Sequence, residues 1–266
     1  MPANKPRTYD PAKVRAALVE QTEAVRAAVH RLDAADLDRP TRLGEWRVRE
    51  LVAHLAFCLE WLPRHLADEV PAGAALPLTD WVGVTRTAAP AIGAVAQELA
   101  AGAFGGAPAE LAAEFDAAAD ALLAVLDTDP SRRLVIRFGP MLVGDFLVTR
   151  LVELVVHADD LAAALGLPEF PHARQALAAV SRLLADAFAA QVPGGAVELR
   201  VPPFAVVQAV PGPRHTRGTP PNVVETDALT WIRLATGRLA WAEAVGAELS
   251  ASGERSDLSG HLPVMA

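Results

Sequence analysis

Thr149-Arg-Leu-Val-Glu-Leu-Val-Val-His-Ala-Asp-Asp-Leu161 decides how this chain is read. The stretch lacks Gly and Pro, and its leucines and valines fall on nearly every side of a 3.6-residue period. That pattern predicts a helix buried in the middle of a helical domain. Glu153 and His157 then lie one turn apart on one face. A carboxylate in that setting needs a cation or several donors. Arg150, one turn earlier, is one such cation, and a metal ion is the other.

Working outward, Val48-Arg-Glu-Leu-Val-Ala-His-Leu-Ala-Phe-Cys58 reads as a second helix with His54 on an otherwise apolar stripe. Two imidazoles and a carboxylate form a known ligand set for a catalytic divalent metal, with one position left for water or substrate. His54, Glu153 and His157 are therefore the expected ligands, provided the two helices face each other. Asp160 lies three residues after His157 on the same stripe, where it orients His157 through the second ring nitrogen, replaces a ligand, or else caps nearby backbone or contacts solvent. Cys58, Glu50 and Asp160 are the donors that would close a purely structural site. A lone cysteine beside Phe57 and Leu59 is otherwise core packing.

A second constellation lies in Pro211-Gly-Pro-Arg-His-Thr-Arg-Gly-Thr-Pro-Pro221. Arg214 and Arg217 flank His215 in a loop stiffened by prolines, and such arginines grip carboxylates in bidentate fashion. The alternative is a solvated connection between strands. Arg238, after Gly237, is read as opening a helix and either holding the same kind of anion or capping a neighbouring element.

The 266 residues suffice for one large or two smaller domains, with 52% apolar and 21% charged residues as in globular proteins. Lys5 and Lys13 are the only lysines, and the net charge is −8. No basic face suggests nucleic acid, and no polybasic patch suggests a membrane surface. Cys58 is the single cysteine, which excludes an internal disulfide. No signal-peptide core or apolar run of about 20 residues is present. The expectation is a cytoplasmic protein, monomeric or homodimeric, with no nucleic acid and no integral membrane segment.

Helices are expected from Asp10-Pro11 to about Leu32, from Trp46 to about Leu66 (with Pro63 kinking or ending it), over 81–101, over 109–127 and from Leu142 to Leu165. Polar linker is expected over 33–44 and loop over 70–80, and Arg132–Phe138 reads as briefly extended. After Pro168 come a helix over 172–190, strands over 196–201, 204–210 and 222–226, helix over 227–245 broken at Gly237, a last strand over 247–251 and a short helical end. The domains are set at 1–168, an antiparallel four-helix bundle, and 169–266, an α+β domain.

Thr41-Arg-Leu-Gly-Glu-Trp46, followed by Val48-Arg-Glu-Leu-Val-Ala-His54, resembles the N-terminal motif of the mycothiol-dependent maleylpyruvate isomerase family, within the DinB-like metal-binding bundles. Arg150–Leu161 is similar to that family's second motif, and the resemblance spans roughly residues 10–165. Asp227-Ala-Leu-Thr-Trp-Ile-Arg-Leu-Ala-Thr-Gly-Arg238, with Gly246 and Ser252-Gly253, resembles sterol-carrier-protein-2-like (SCP2-like) domains. Pro213–Asn222 resembles the C-terminal part of an actinobacterial sterol carrier family. The resemblance implies metal ligation by His54, Glu153 and His157, most simply of Zn2+, and mycothiol as thiol cosubstrate. It also implies a metal-activated thiolate that isomerises or S-conjugates a small electrophile. Arg214, Arg217 and Arg238 would hold the anionic groups as catalytic residues, and His215 and Asp160 would contact the cosubstrate. The alternative function is carriage of a hydrophobic ligand by the C-terminal domain without catalysis. A third reading keeps the metal for stability alone.

Overall fold

The computed structural model describes residues 7–212 and 220–265. The chain divides into two compact units. One is formed by Tyr9–Pro77 and Thr87–Ala176; the other by Leu78–Arg86 and the chain from Leu177 onward, with residues 7–8.

Helix α1 (Pro11–Val29) begins as the sequence predicts. The Asp10 carboxylate accepts from the Ala12 amide at 2.9 Å, and proline occupies the first turn. The linker before the next long helix holds one further turn, α2 (Ala34–Leu37), because Asp33 caps it. Helix α3 (Val48–His65) carries His54, and Pro63 falls in its last turn without shortening it.

The helix expected over 81–101 is two helices. Helix α4 (Leu78–Val84) and helix α5 (Ala89–Ala101) are separated by a 3-10 turn at Thr85–Ala88. The chain passes between units in that turn. Helix α6 (Pro108–Ala124) follows. Strand β1 (Arg133–Ile136) pairs antiparallel with β2 (Gly139–Leu142), a strand the sequence reading does not contain. Pro140 is tolerated there because β2 has only one sheet partner.

Helix α7 (Val143–Leu165) ends at Gly166, whose φ of 70° suits a residue without Cβ. Helices α1, α7, α3 and α6 close a ring of contacts in that order, with α5 against α3. This is the expected four-helix bundle. Its core includes Leu18, Leu51, Leu55, Leu111, Phe115, Leu151 and Val155.

The other unit is α+β. Helix α8 (Arg174–Gln191) precedes strands β3 (Val197–Val201), β4 (Ala205–Ala209) and β5 (Val223–Thr226). Helices α9 (Ala228–Ala235) and α10 (Trp241–Ala244) and strand β6 (Leu249–Ser252) complete it. The sheet order is β4-β3-β5-β6, with β3 and β5 parallel and the other pairs antiparallel. Phe188 of α8 meets Trp231 of α9 edge-on, with ring centroids 5.8 Å apart. No described helix is long and apolar enough to cross a membrane.

Candidate metal centre

Helices α3 and α7 pack against each other, and that packing joins the residues the sequence could only pair in part. His54 Nε2 and His157 Nε2 each lie 3.3 Å from Glu153 Oε2. One donor atom from each of the three residues falls within 4.8 Å of the others. The two imidazoles meet edge-on at 4.7 Å between centroids. His54 is 4% exposed, and the side chains of Glu153 and His157 are 14% and 12% exposed.

The opposite side of His157 is fixed. Asp160 Oδ2 lies 2.8 Å from its Nδ1. If Nδ1–H donates to Asp160, the neutral ring turns the lone pair of Nε2 toward the Glu153 carboxylate. Two acceptors at that distance repel unless a cation lies between them, either a proton or a metal ion. A tetrahedral zinc ion with bonds of about 2.0–2.1 Å sets neighbouring ligands about 3.3–3.4 Å apart. The two observed 3.3 Å separations match that edge, and the nitrogen–oxygen donor set is one that divalent ions such as zinc accept, so the residues fit a divalent ion.

Protonation in the ion-free site follows the same logic. Burial opposes charge on His54, but the adjacent Cys58 sulfur and Glu153 outweigh it and raise its pKa. Burial likewise opposes charge on His157, and Asp160 with Glu153 overcomes it. Glu153 is held well below the usual carboxylate range: burial disfavours its ionisation, but His157, His54 and Arg150 prevail.

Arg150 does not take over the Glu153 carboxylate. Its Nη2 lies 3.9 Å from Oε1, while its shorter bonds run to the Cys58 carbonyl at 3.0 Å and to Thr149 Oγ1. One carboxylate oxygen thus faces Arg150 and the other faces the histidines.

The remaining sequence candidates separate clearly. Glu50 is not a fourth donor: its Oε2 accepts from the Arg47 amide at 2.8 Å, and its Oε1 pairs with the Arg47 guanidinium. Cys58 is buried with its sulfur 3.5 Å from His54 Nε2, yet it is not in the convergent set. Asp160, expected to contact the cosubstrate, is 0% exposed and spends its oxygens on His157 and Arg42. Arg238 does not open a helix, because α10 begins only at Trp241. Its Nη1 donates to the Thr236 carbonyl at 2.7 Å, just past the end of α9 in the α+β unit. Arg214, His215 and Arg217 lie outside the described residues.

Sequence reasoning missed Arg42 and Asp159. Arg42 donates through Nε to Asp160 and through Nη2 to Asp159, two adjacent buried carboxylates. The signal was present in the doublet Asp159-Asp160, since two neighbouring acids on a buried helix demand a cation from elsewhere.

Fold and site together define a two-unit protein: a helical bundle with a His–Glu–His cluster, and a small α+β unit. The family model described as mycothiol maleylpyruvate isomerase N-terminal domain matches residues 18–162, more than half of the chain. The chain belongs to that family. A second model, described as bacterial SCP ortholog, matches residues 173–264. Among solved structures, the chain is similar to a mycothiol-dependent maleylpyruvate isomerase, with a TM-score of 0.60 and 16% identity. The match covers 94% of this chain and 95% of that one. A histidine-to-alanine mutant of the mycothiol-dependent maleylpyruvate isomerase matches with the same TM-score, identity and coverage. No curated protein matches the chain.

Proposed function

We propose that His54, Glu153 and His157 hold a divalent ion, zinc by preference, and that the protein is a thiol-dependent isomerase or S-transferase using mycothiol. The observation that carries this reading is the paired 3.3 Å separation of two imidazole nitrogens from one carboxylate oxygen. Family membership supports mycothiol as the thiol. A bound ion would supply Lewis acidity, keeping a coordinated thiol deprotonated at neutral pH and so nucleophilic.

The chain's own residues do the rest. Glu153 brings the only negative charge among the three donors, which leaves a divalent site with net positive charge to attract an anionic sulfur. His54 and Glu153 are shielded by burial, which strengthens that attraction. Asp160 keeps the His157 proton on Nδ1 and its lone pair toward the ion. Arg214, Arg217 and Arg238 are assigned to the anionic groups of substrate or thiol, and His215 to the thiol. A cytoplasmic setting with a reduced thiol pool belongs to the same reading.

The test is metal analysis of protein purified without a chelating tag, followed by assay with mycothiol and a cis-configured activated dicarboxylate such as maleylpyruvate. One ion per chain is expected, with activity lost to a chelator and restored by zinc. A well-folded chain that binds no divalent ion removes the reading.

A further inference from the structure

We propose that Arg42 is a positioning residue for the ion: it clamps Asp160, which aims His157, and so sets metal affinity from outside the ligand set. The inference rests on the metal reading above and adds a residue that acts through Asp160.

A carboxylate that orients a metal-binding histidine must itself be held in place. Asp160 lies in the bundle interior at 0% exposure with Asp159 beside it at 2%, so two neighbouring acids share a low-dielectric site. One guanidinium serves both, Nε on Asp160 and Nη2 on Asp159. A lysine has no such fork and could engage only one carboxylate well.

Arg42 comes from the loop ahead of α3 rather than from α7, and that loop is tightly built. Thr41 Oγ1 donates to the Trp46 carbonyl at 2.7 Å and accepts from the Leu43 amide, and the Thr41 amide also donates to the Trp46 carbonyl at 2.9 Å. Gly44 turns the chain at φ +63°. The Trp46 ring at the loop's far end packs against the His54 imidazole, with centroids 5.2 Å apart. One six-residue loop therefore touches both imidazole ligands, His54 directly and His157 through Asp160. Thr41–Trp46 thereby ties the ligand of α3 to the ligands of α7.

The experiment measures Co2+ and Zn2+ affinity by competition with a chromophoric chelator, together with the visible absorption of the Co2+ protein. The variants are Asp160→Asn, Arg42→Lys, Asp159→Asn and, as a surface control, Arg39→Ala. Asp160→Asn and Arg42→Lys are expected to weaken the ion about 10–100-fold and to alter the Co2+ bands. Asp159→Asn and Arg39→Ala are expected to keep both near wild type. Equal loss in Asp159→Asn and Asp160→Asn would reveal a merely structural acid cluster and overturn the proposal. Wild-type affinity in Asp160→Asn and Arg42→Lys overturns it while leaving the metal reading intact. A wild type that binds no ion removes both. If Arg42→Lys does not fold, the isosteric Asp160→Asn carries the test.

Discussion

At the scale of single residues, Glu153 divides its work between its two oxygens. Oε2 faces both histidines and Oε1 faces Arg150. Glu153→Gln keeps the shape and removes the charge, so divalent-ion affinity is expected to fall by more than about 100-fold, beyond the loss usual for a residue that only supports a ligand. Competition titration checks it, and unchanged affinity contradicts the ligand assignment. The same variant isolates a pH effect. In the ion-free protein the Glu153 pKa lies below its ordinary 4.5, so its contribution to stability is present above pH 4.5 and lost as pH falls through the lowered value. The histidine pKa values lie above 6.5, so their contribution is full below pH 6.5 and lost as pH rises through the raised values. The difference in thermal midpoint between ion-free wild type and Glu153→Gln should be greatest between pH 4.5 and 6.5 and shrink above it. Thermal melts in chelator across that range measure it. A difference that grows steadily above pH 7 would contradict the assignment.

At the scale of elements, α7 is the organising piece. Its first turns bury Phe146 and Leu147, its middle supplies Glu153 and His157, and its end carries the Asp159-Asp160 doublet. It was readable in the sequence because 23 largely apolar residues without proline are too many for a strand. Its stop depends on Gly166 at φ 70°. Gly166→Ala is expected to cost about 1 kcal/mol of stability and Gly166→Asn less, as measured by urea unfolding, since asparagine tolerates the left-handed region. Equal stability for all three would show that the cap contributes nothing. Shorter elements were less legible. The four residues of β2 hold a glycine and a proline and pair only with β1, so local propensity argues against a strand that tertiary contact creates. The break at Thr85–Ala88 carries no strong helix breaker until Pro90. The division of the chain into units, not its local pattern, coincides with it.

At the scale of the molecule, the proposed ion ligands His54, Glu153 and His157, with Asp160 and Arg42, all belong to the helical unit. An ion that binds only the folded unit stabilises it by about 2.7 kcal/mol at a hundredfold excess over Kd. Calorimetry should therefore show a zinc-dependent rise in the transition that reports this unit, reversed by chelator and absent in His54→Ala. A thermogram indifferent to zinc and chelator would count against the site. The α+β unit has its own core around Phe188, Trp231, Leu199 and Val224.

By itself the sequence determined the helical and α+β halves, the approximate spans of α1, α3, α6, α7 and α8, and the half-site Glu153–His157. Periodicity and one-turn spacing are local properties, and local physics suffices to read them. The tertiary structure alone decided that His54 meets that pair, that Glu50 caps its own helix, and that Asp160 turns inward to His157 under the grip of Arg42. Those outcomes depend on how α3, α7 and the 41–46 loop pack against one another. Which buried charges meet is settled by the whole bundle core, and no spacing along the chain encodes it.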